Sequence, residues 1–200
     1  RENVDFDPNA GQVFANTKGI TDIFLLKLTT VGNFVWVKTY GGTSVDYGQT
    51  LTIDNSGNII LSGRFSETVN FGNPDLTLIS NGATDIFLLK LNKDGNSIWA
   101  NRYGDTNIDQ GNQVVVNKNG IIYLAGLFRG IVDFDPSSTN SNFSESKGGA
   151  DVFIALYNQD GSYNKHFVLG GLANEQVNDI VLRDNGELIS VGGFGAIVDF

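Results

Sequence analysis

Asp22-Ile23-Phe24-Leu25-Leu26-Lys27-Leu28 returns 63 residues later as Asp85-Ile86-Phe87-Leu88-Leu89-Lys90-Leu91, and a further 66 residues on as the looser Asp151-Val152-Phe153-Ile154-Ala155-Leu156-Tyr157. Self-similarity at a fixed period marks a repeat architecture, so it governs the fold before any local propensity is weighed. Everything downstream of the heptad keeps step. Turn glycines stand at Gly32, Gly95 and Gly161, strand-end glycines at Gly41, Gly104 and Gly170, and acids at Asp46, Asp109 and Glu175. Hairpin glycines follow at Gly57, Gly120 and Gly186, then strand glycines at Gly63, Gly126 and Gly192. A phenylalanine ends each period, at Phe6, Phe71, Phe134 and Phe200. It sits in Val4-Asp5-Phe6-Asp7-Pro8 and Val132-Asp133-Phe134-Asp135-Pro136, with reduced forms at Val69-Asn70-Phe71 and Val198-Asp199-Phe200.

Each period reads as strands. Asn55-Ser56-Gly57 joins two apolar runs as a glycine hairpin, with counterparts at Lys118-Asn119-Gly120 and Asp184-Asn185-Gly186. The run from Ile23 is apolar on both alternating faces until Lys27, the pattern of a strand covered on both sides. A second hairpin at Gly32 or Gly95 leads into the strand that carries Trp36 or Trp99. Four strands per period predict an all-β fold, a β-propeller of four-stranded antiparallel blades repeating every 63 to 66 residues, of which this chain holds about three. Residues 44–104 and 105–170 read as complete blades, residues 1–43 as the second half of a blade with its insert, and residues 171–200 as the first half of a further one. The chain starts and stops at one phase of the repeat, lacks methionine, and is expected to be an excised part of a propeller that continues beyond it. Three blades are too few to close a ring. Inserts of about twenty residues, the longest of which carries the polar stretch from Ser137 to Lys147, project on one side of such an array and often form its contact surface.

Composition narrows the function classes. A net charge of −9 repels phosphate backbones and anionic lipid surfaces, which argues against nucleic acid as a partner. The absence of cysteine removes disulfides, thiolate zinc sites and cysteine nucleophiles together. No apolar stretch approaches the roughly 18 residues of a membrane helix, so direct membrane insertion by a helix is not expected.

The heptad, Gly32-Asn33-Phe34-Val35-Trp36, Gly41-Gly42 through Asp46-Tyr47-Gly48, and Asp54-Asn55-Ser56-Gly57-Asn58-Ile59-Ile60-Leu61-Ser62-Gly63 together resemble the bacterial β-propeller repeat family sometimes called SBBP. The Val-Asp-Phe-Asp-Pro insert is similar to a longer variant in large exported proteins of bacteria with type IX secretion. The resemblance implies a secreted or cell-surface protein, extracellular in location, with a scaffold role and no catalytic residues or cofactor. The third period departs from the pattern, with Lys165 in place of the tryptophans and Val177 in place of Gly48 and Gly111.

Candidate sites follow the repeat. Asp46, Asp109 and Glu175 precede the strand expected to line the channel, and a ring of carboxylates there would hold a hard cation such as calcium; the structural alternative is a turn or cap repeated once per blade. Asp22, Asp85 and Asp151 each stand at the entrance to an apolar strand, where a buried aspartate accepting loop N–H groups would lock a blade. Trp36 and Trp99 are either sugar-stacking platforms or blade-to-blade packing, and their identical phase argues for packing. His166, the only histidine, has no serine or carboxylate partner at a telling spacing. Asp5 with Asp7, and Asp133 with Asp135, alternate along a strand, which would point their carboxylates to opposite faces and away from shared glycosidase chemistry. The expected function is therefore a non-enzymatic scaffold that binds a protein partner or the remaining blades of the same polypeptide. A carbohydrate-binding propeller is the alternative and a calcium-dependent module the third reading.

Overall fold

The computed structural model describes residues 4–195 and 197–199, the last of these by its backbone; Phe200, the final member of the phenylalanine series, lies outside the described residues. The first insert is a hairpin of β1 (Val4–Asp5) and β2 (Phe14–Ala15), and it precedes the antiparallel pair β3 (Ile23–Leu28) and β4 (Phe34–Tyr40). Next come β5 (Tyr47–Ile53), β6 (Ile59–Phe65), the insert hairpin of β7 (Thr68–Asn70) and β8 (Thr77–Ile79), then β9 (Asp85–Leu91) and β10 (Ser97–Tyr103). The pattern repeats as β11 (Gln110–Val116), β12 (Ile122–Phe128), the hairpin of β13 (Ile131–Asp133) and β14 (Phe143–Glu145), β15 (Asp151–Tyr157) and β16 (Tyr163–Gly171). The pair β17 (Gln176–Leu182) and β18 (Leu188–Gly193) and the short β19 (Val198–Asp199) complete the described chain.

These strands form propeller blades. One blade has the order β5-β6-β9-β10 and the second β11-β12-β15-β16, with β19 added at the outer edge of the latter through Gly170 and Gly171. The β6–β9 ladder runs from Ile59↔Leu91 to Phe65↔Asp85, and the β12–β15 ladder runs from Ile122↔Tyr157 to Phe128↔Asp151, the same register one repeat on. The pairs β3–β4 and β17–β18 form separate two-stranded sheets. A bulge interrupts each first strand at one phase, between Gly48 and Thr50, Gly111 and Gln113, and Val177 and Asp179. Gly57, Gly120 and Gly186 turn their hairpins with φ between 79° and 89°, a left-handed conformation that a β-carbon would strain.

The core lies between the sheets. One apolar cluster joins Ile23, Leu25 and Tyr40 to Phe65, Phe71 and Phe87; a second joins Ile86, Leu88 and Tyr103 to Leu124, Phe128 and Phe134. A third joins Val152 and Ile154 to Val177 and Ile180. Each is the interface of two consecutive sheets, so the number of cores follows the number of junctions. The insert phenylalanines belong to these interfaces: Phe71 lies 5.0 Å from Phe87 and 5.7 Å from Tyr40 of the preceding sheet, and Phe134 lies 5.0 Å from Phe153. Phe6 packs on Phe24 at 5.3 Å. Val177 fits where its counterparts are glycine because it meets Ala125 in its cluster, whereas a β-carbon on Gly111 would meet the Ser62 hydroxyl at 2.4 Å.

The repeated heptad provides an internal control. All seven residues of β9 are buried, as are those of β15. In β3 the same sequence leaves Phe24 59% exposed and Leu28 39% exposed, since one face of that pair has no sheet against it. Composition is identical and only the neighbour differs. Phe87→Ala should therefore cost about 3–5 kcal/mol, whereas Phe24→Ala should cost about 1 kcal/mol or less; urea unfolding of the two variants measures the difference, and equal losses would refute the assignment of the core to the junctions.

Candidate functional site

Two features recur at every junction: a pair of carboxylates inside it and an insert hairpin beside it. Asp46, Asp109 and Glu175 are all buried. Asp46 accepts the Gly42 N–H at 2.8 Å and the Ser66 N–H at 3.1 Å. Asp109 accepts those of Asp105 and Arg129, both at 2.9 Å, and Glu175 those of Gly171 at 2.9 Å and Gly195 at 3.4 Å. The donors are equivalent residues of the repeat. One oxygen ties the connection arriving from the previous sheet, and the other ties the end of the next sheet's second strand. This is a clamp on backbone donors that would otherwise be buried unpaired. Among the described residues no three histidine, aspartate or glutamate side chains converge as a metal-ligand set.

Asp22, Asp85 and Asp151 hold the loop that returns from each insert. Asp22 accepts the Lys18 and Gly19 N–H groups, Asp85 that of Asn81 at 3.0 Å, and Asp151 that of Lys147 at 3.0 Å. Asp85 also has a guanidinium, that of Arg102 at 2.7 Å. The strand-end glycines are required here: a β-carbon on Gly104 would lie 2.8 Å from Asp85 Oδ1 and 2.9 Å from Asp109 Oδ2, and φ at Gly104 is +146°. Gly41 and Gly170 press equally closely on Asp22 and Asp151.

The crowding shows in the titration. Burial raises the Asp109 carboxyl to about 7; its two N–H bonds pull it down, and the charges of Asp105 and Asp85 push it further up. Asp46, Asp85 and Asp151 are raised in the same way, by burial first. Asp54 runs the other way. Burial pushes it up, but hydrogen bonds from Asn58, Lys90 and Ser56 prevail, and its pair with buried Lys90 is 3.1 Å long.

The remaining candidates fall into place around the junctions. Trp36 and Trp99 are half-buried, with their rings against the turn glycines Gly95 and Gly161 of the following sheet, and the Trp99 indole N–H donates to the Gln159 carbonyl at 3.2 Å. Lys27 and Lys90 reach the same two turns, donating to the Lys93 and Gln159 carbonyls. The alternation reading of Asp133 and Asp135 fails, because β13 stops at Asp133. Asp133 captures the Asp135 N–H and Asp135 the Ser137 N–H, both at 3.0 Å, and these side-chain turns break the extended backbone. Both carboxylates then meet at Asn142, through its N–H at 2.8 Å and its side-chain amide at 3.2 Å.

His166 has partners that its sequence spacing did not reveal. Its Nε2 lies 2.8 Å from the Ser144 hydroxyl and its Nδ1 2.8 Å from the Tyr163 hydroxyl. Burial lowers its pKa, partly offset by Asp133, which favours the neutral ring. A tyrosine occupies the place where a serine-activating histidine needs a carboxylate. The equivalent positions in the preceding blade are Leu78 and Ala100, which pack against an apolar cluster. The serine and histidine thus replace an apolar hairpin-to-blade contact by a polar one.

The pairing of the insert strands into hairpins is what sequence reading missed, since each strand runs only two or three residues. Their inward side carries Val69 and Val132, both fully buried. Their outward side displays Phe14 (51% exposed), Ile79 (64%), Ile131 (54%) and Phe143 (63%). Ile79, Ile131 and Phe143 belong to blades with a sheet on both faces, so no missing neighbour accounts for their exposure.

No protein-family model matches the chain. It is similar to the regulatory protein FlaEY of Caulobacter vibrioides, with 28% identity over 187 residues that make up 88% of this chain and 18% of that protein. It is also similar to an uncharacterized WD repeat-containing protein of Acanthamoeba polyphaga mimivirus, with 26% identity over 153 residues, 70% of this chain and 11% of that protein. The chain spans less than a fifth of either relative. Its fold is that of repeated β-propeller blades.

A carboxyl raised above its unfolded value contributes stability that is complete below that value and is lost as pH rises through its folded pKa. For Asp109 the window runs from 3.8 to about 7. His166 opposes it below pH 6.5 and Asp54 only below 3.8, so the comparison of wild type with Asp109→Asn isolates the clamp. The melting temperature of the wild type should rise from pH 8 to pH 5 by more than that of Asp109→Asn. Asp109→Ala, which leaves two buried N–H groups without an acceptor, should lose about 2–4 kcal/mol in denaturant unfolding.

Proposed function

We propose that this chain is a non-enzymatic interaction scaffold that binds a protein partner through the outward faces of its insert hairpins. The observation that carries the reading is the exposure of Ile79, Ile131 and Phe143 on the insert hairpins of blades that have a sheet against each face. Exposed apolar side chains on successive insert hairpins make a contact surface, and carboxylates at Asp133 and Glu145 border it on the same hairpin face. The names of the relatives support the reading, one being a regulatory protein and the other a protein of WD repeats, which build propellers. The acidic charge makes a protein a better partner than a nucleic acid. An extracellular or cell-surface location belongs to this proposal and rests on the resemblance of the repeat to exported propeller proteins.

No bound metal is required in this reading, because the repeated carboxylates already serve backbone N–H groups. A chelator should leave the melting temperature unchanged. The experiment for the partner surface is affinity capture from the source cell's surface and secreted fractions, using the wild type and the variant Ile79→Ser/Ile131→Ser/Phe143→Ser. The variant should keep the wild-type melting temperature within a few degrees and lose the captured partner. Capture that survives the triple substitution would overturn the assignment to the hairpins.

A further inference from the structure

The buried carboxylates of the middle junction stand between two insert hairpins. Asp85 Oδ2 accepts the Asn81 N–H at 3.0 Å, two residues after Ile79, where the hairpin of β7 and β8 returns. Asp109 Oδ1 accepts the Arg129 N–H at 2.9 Å, two residues before Ile131, where the hairpin of β13 and β14 departs. Asp109 Oδ2 accepts the Asp105 N–H at 2.9 Å, and Asp105 Oδ2 accepts the Ile131 N–H at 3.1 Å. The relative placing of Ile79 and Ile131 therefore runs through this pair. We propose that Asp85 and Asp109 hold one proton between them while the junction is closed, and that the pair is a proton-sensitive latch on the two neighbouring hairpins. Its role as a regulator of partner binding rests on the reading of those hairpins as the contact surface; the latch itself does not.

Three observations lead there. The first is an oxygen without a donor. Among the described residues Asp85 Oδ1 is buried with no hydrogen bond to it, and so is Asp151 Oδ1 one repeat on. A buried acceptor left unpaired is costly, and a carboxyl proton is a donor that the pair can supply for itself. The second is position. A β-carbon on Gly104 would lie 2.8 Å from Asp85 Oδ1 and 2.9 Å from Asp109 Oδ2, so the unpaired oxygen and an oxygen of its neighbour converge on one point, and both residues are fully buried.

The third is the count of charges. Arg102, on β10, approaches Asp85 Oδ2 at 2.7 Å and offsets one of the two carboxylates. The groups on the surrounding elements do not offset the other. Asp105 adds a like charge, and Asp133 and Asp135 line the cleft that it shares with Arg102. Arg129 turns its guanidinium to Asn174 at 3.2 Å, and Arg64, on β6, turns its own to Gln110 at 2.9 Å. Two carboxylates in one small buried site resist ionising together, and a single proton removes the second charge. Arg102 favours the ionised form of Asp85, which leaves the proton to Asp109, raised by burial first to about 7.

Opening the latch to water returns the Asp109 carboxyl to 3.8, so opening releases the proton. The opening constant then climbs by up to tenfold per pH unit from 3.8 to about 7 and levels off above that. Carbon-13 titration of the aspartate side chains in the wild type should show Asp109 taking up a proton near pH 7 with Asp85 still ionised. Native-state hydrogen exchange, corrected for the intrinsic rate, should show the Asn81, Asp105 and Arg129 amides opening about 50-fold more often at pH 7 than at pH 5, and exchanging faster than the amides of the β6–β9 ladder. In Asp109→Asn, whose neutral amide stands in for the protonated acid, their opening should not vary with pH. The wild-type titration decides the matter even where the variant does not fold. Both carboxyls ionised down to pH 4, latch amides indifferent to pH in the wild type, or latch amides that exchange only together with the ladder would each overturn the proposal. These measurements need no partner, so capture that survives the hairpin substitutions would end the partner reading and leave the latch standing.

Discussion

A strand that is apolar on both faces has to be covered twice, and the architecture of this protein follows from that constraint. β9 and β15 sit at the centre of their blades and direct alternate side chains into different junctions: Phe87 toward the preceding sheet, Ile86 and Leu88 toward the following one. A blade therefore has no core of its own. Stability belongs to nearest-neighbour interfaces, as in other repeat arrays, and the free energy of any sheet depends on what stands beside it.

Stacking apolar sheets leaves the connections between them with buried backbone donors, and the repeated carboxylates answer that problem. Asp109 accepts N–H groups from two segments 24 residues apart, and its equivalents do the same at the neighbouring junctions. The cost is a second carboxylate close by, with Asp22, Asp85 and Asp151 raising the pKa of their partners or being raised by them. Where Arg102 reaches Asp85 part of that repulsion is compensated. The glycine between the two carboxylates, Gly104 in the middle repeat, is the steric signature of the clamp.

The polar contacts vary from repeat to repeat in ways that keep each junction satisfied. Lys90 pairs with Asp54 in the first full blade, while the second has Leu156 and Asn117 at those positions and needs no ion pair. Thr50, Gln113 and Asp179 hold one phase of three successive first strands and hydrogen-bond in series across two junctions. Ser144 and His166 replace Leu78 and Ala100 as a matched pair. Substitutions at one position are met by substitutions across the contact, which is how the third repeat diverges without losing the fold.

Periodicity alone determined the repeat, the strands of each blade and the phase of the recurring glycines, because a recurring hydrophobic pattern reports directly on which backbone positions face apolar surroundings. The acids at Asp46, Asp109 and Glu175 were legible as equivalent positions, but not what they do, since one of each acid's two N–H donors comes from a segment twenty residues away and only folding brings them together. The two- and three-residue insert strands were too short to show a period, and the Ser144–His166 contact joins an insert to an outer strand with no spacing rule to betray it. The clearest division lies in the heptad shared by β3 and β9. Its sequence makes it a strand in both places, but whether Phe24 or Phe87 is buried was decided only by the presence of a neighbouring sheet, because burial is a property of the contact and not of the residue.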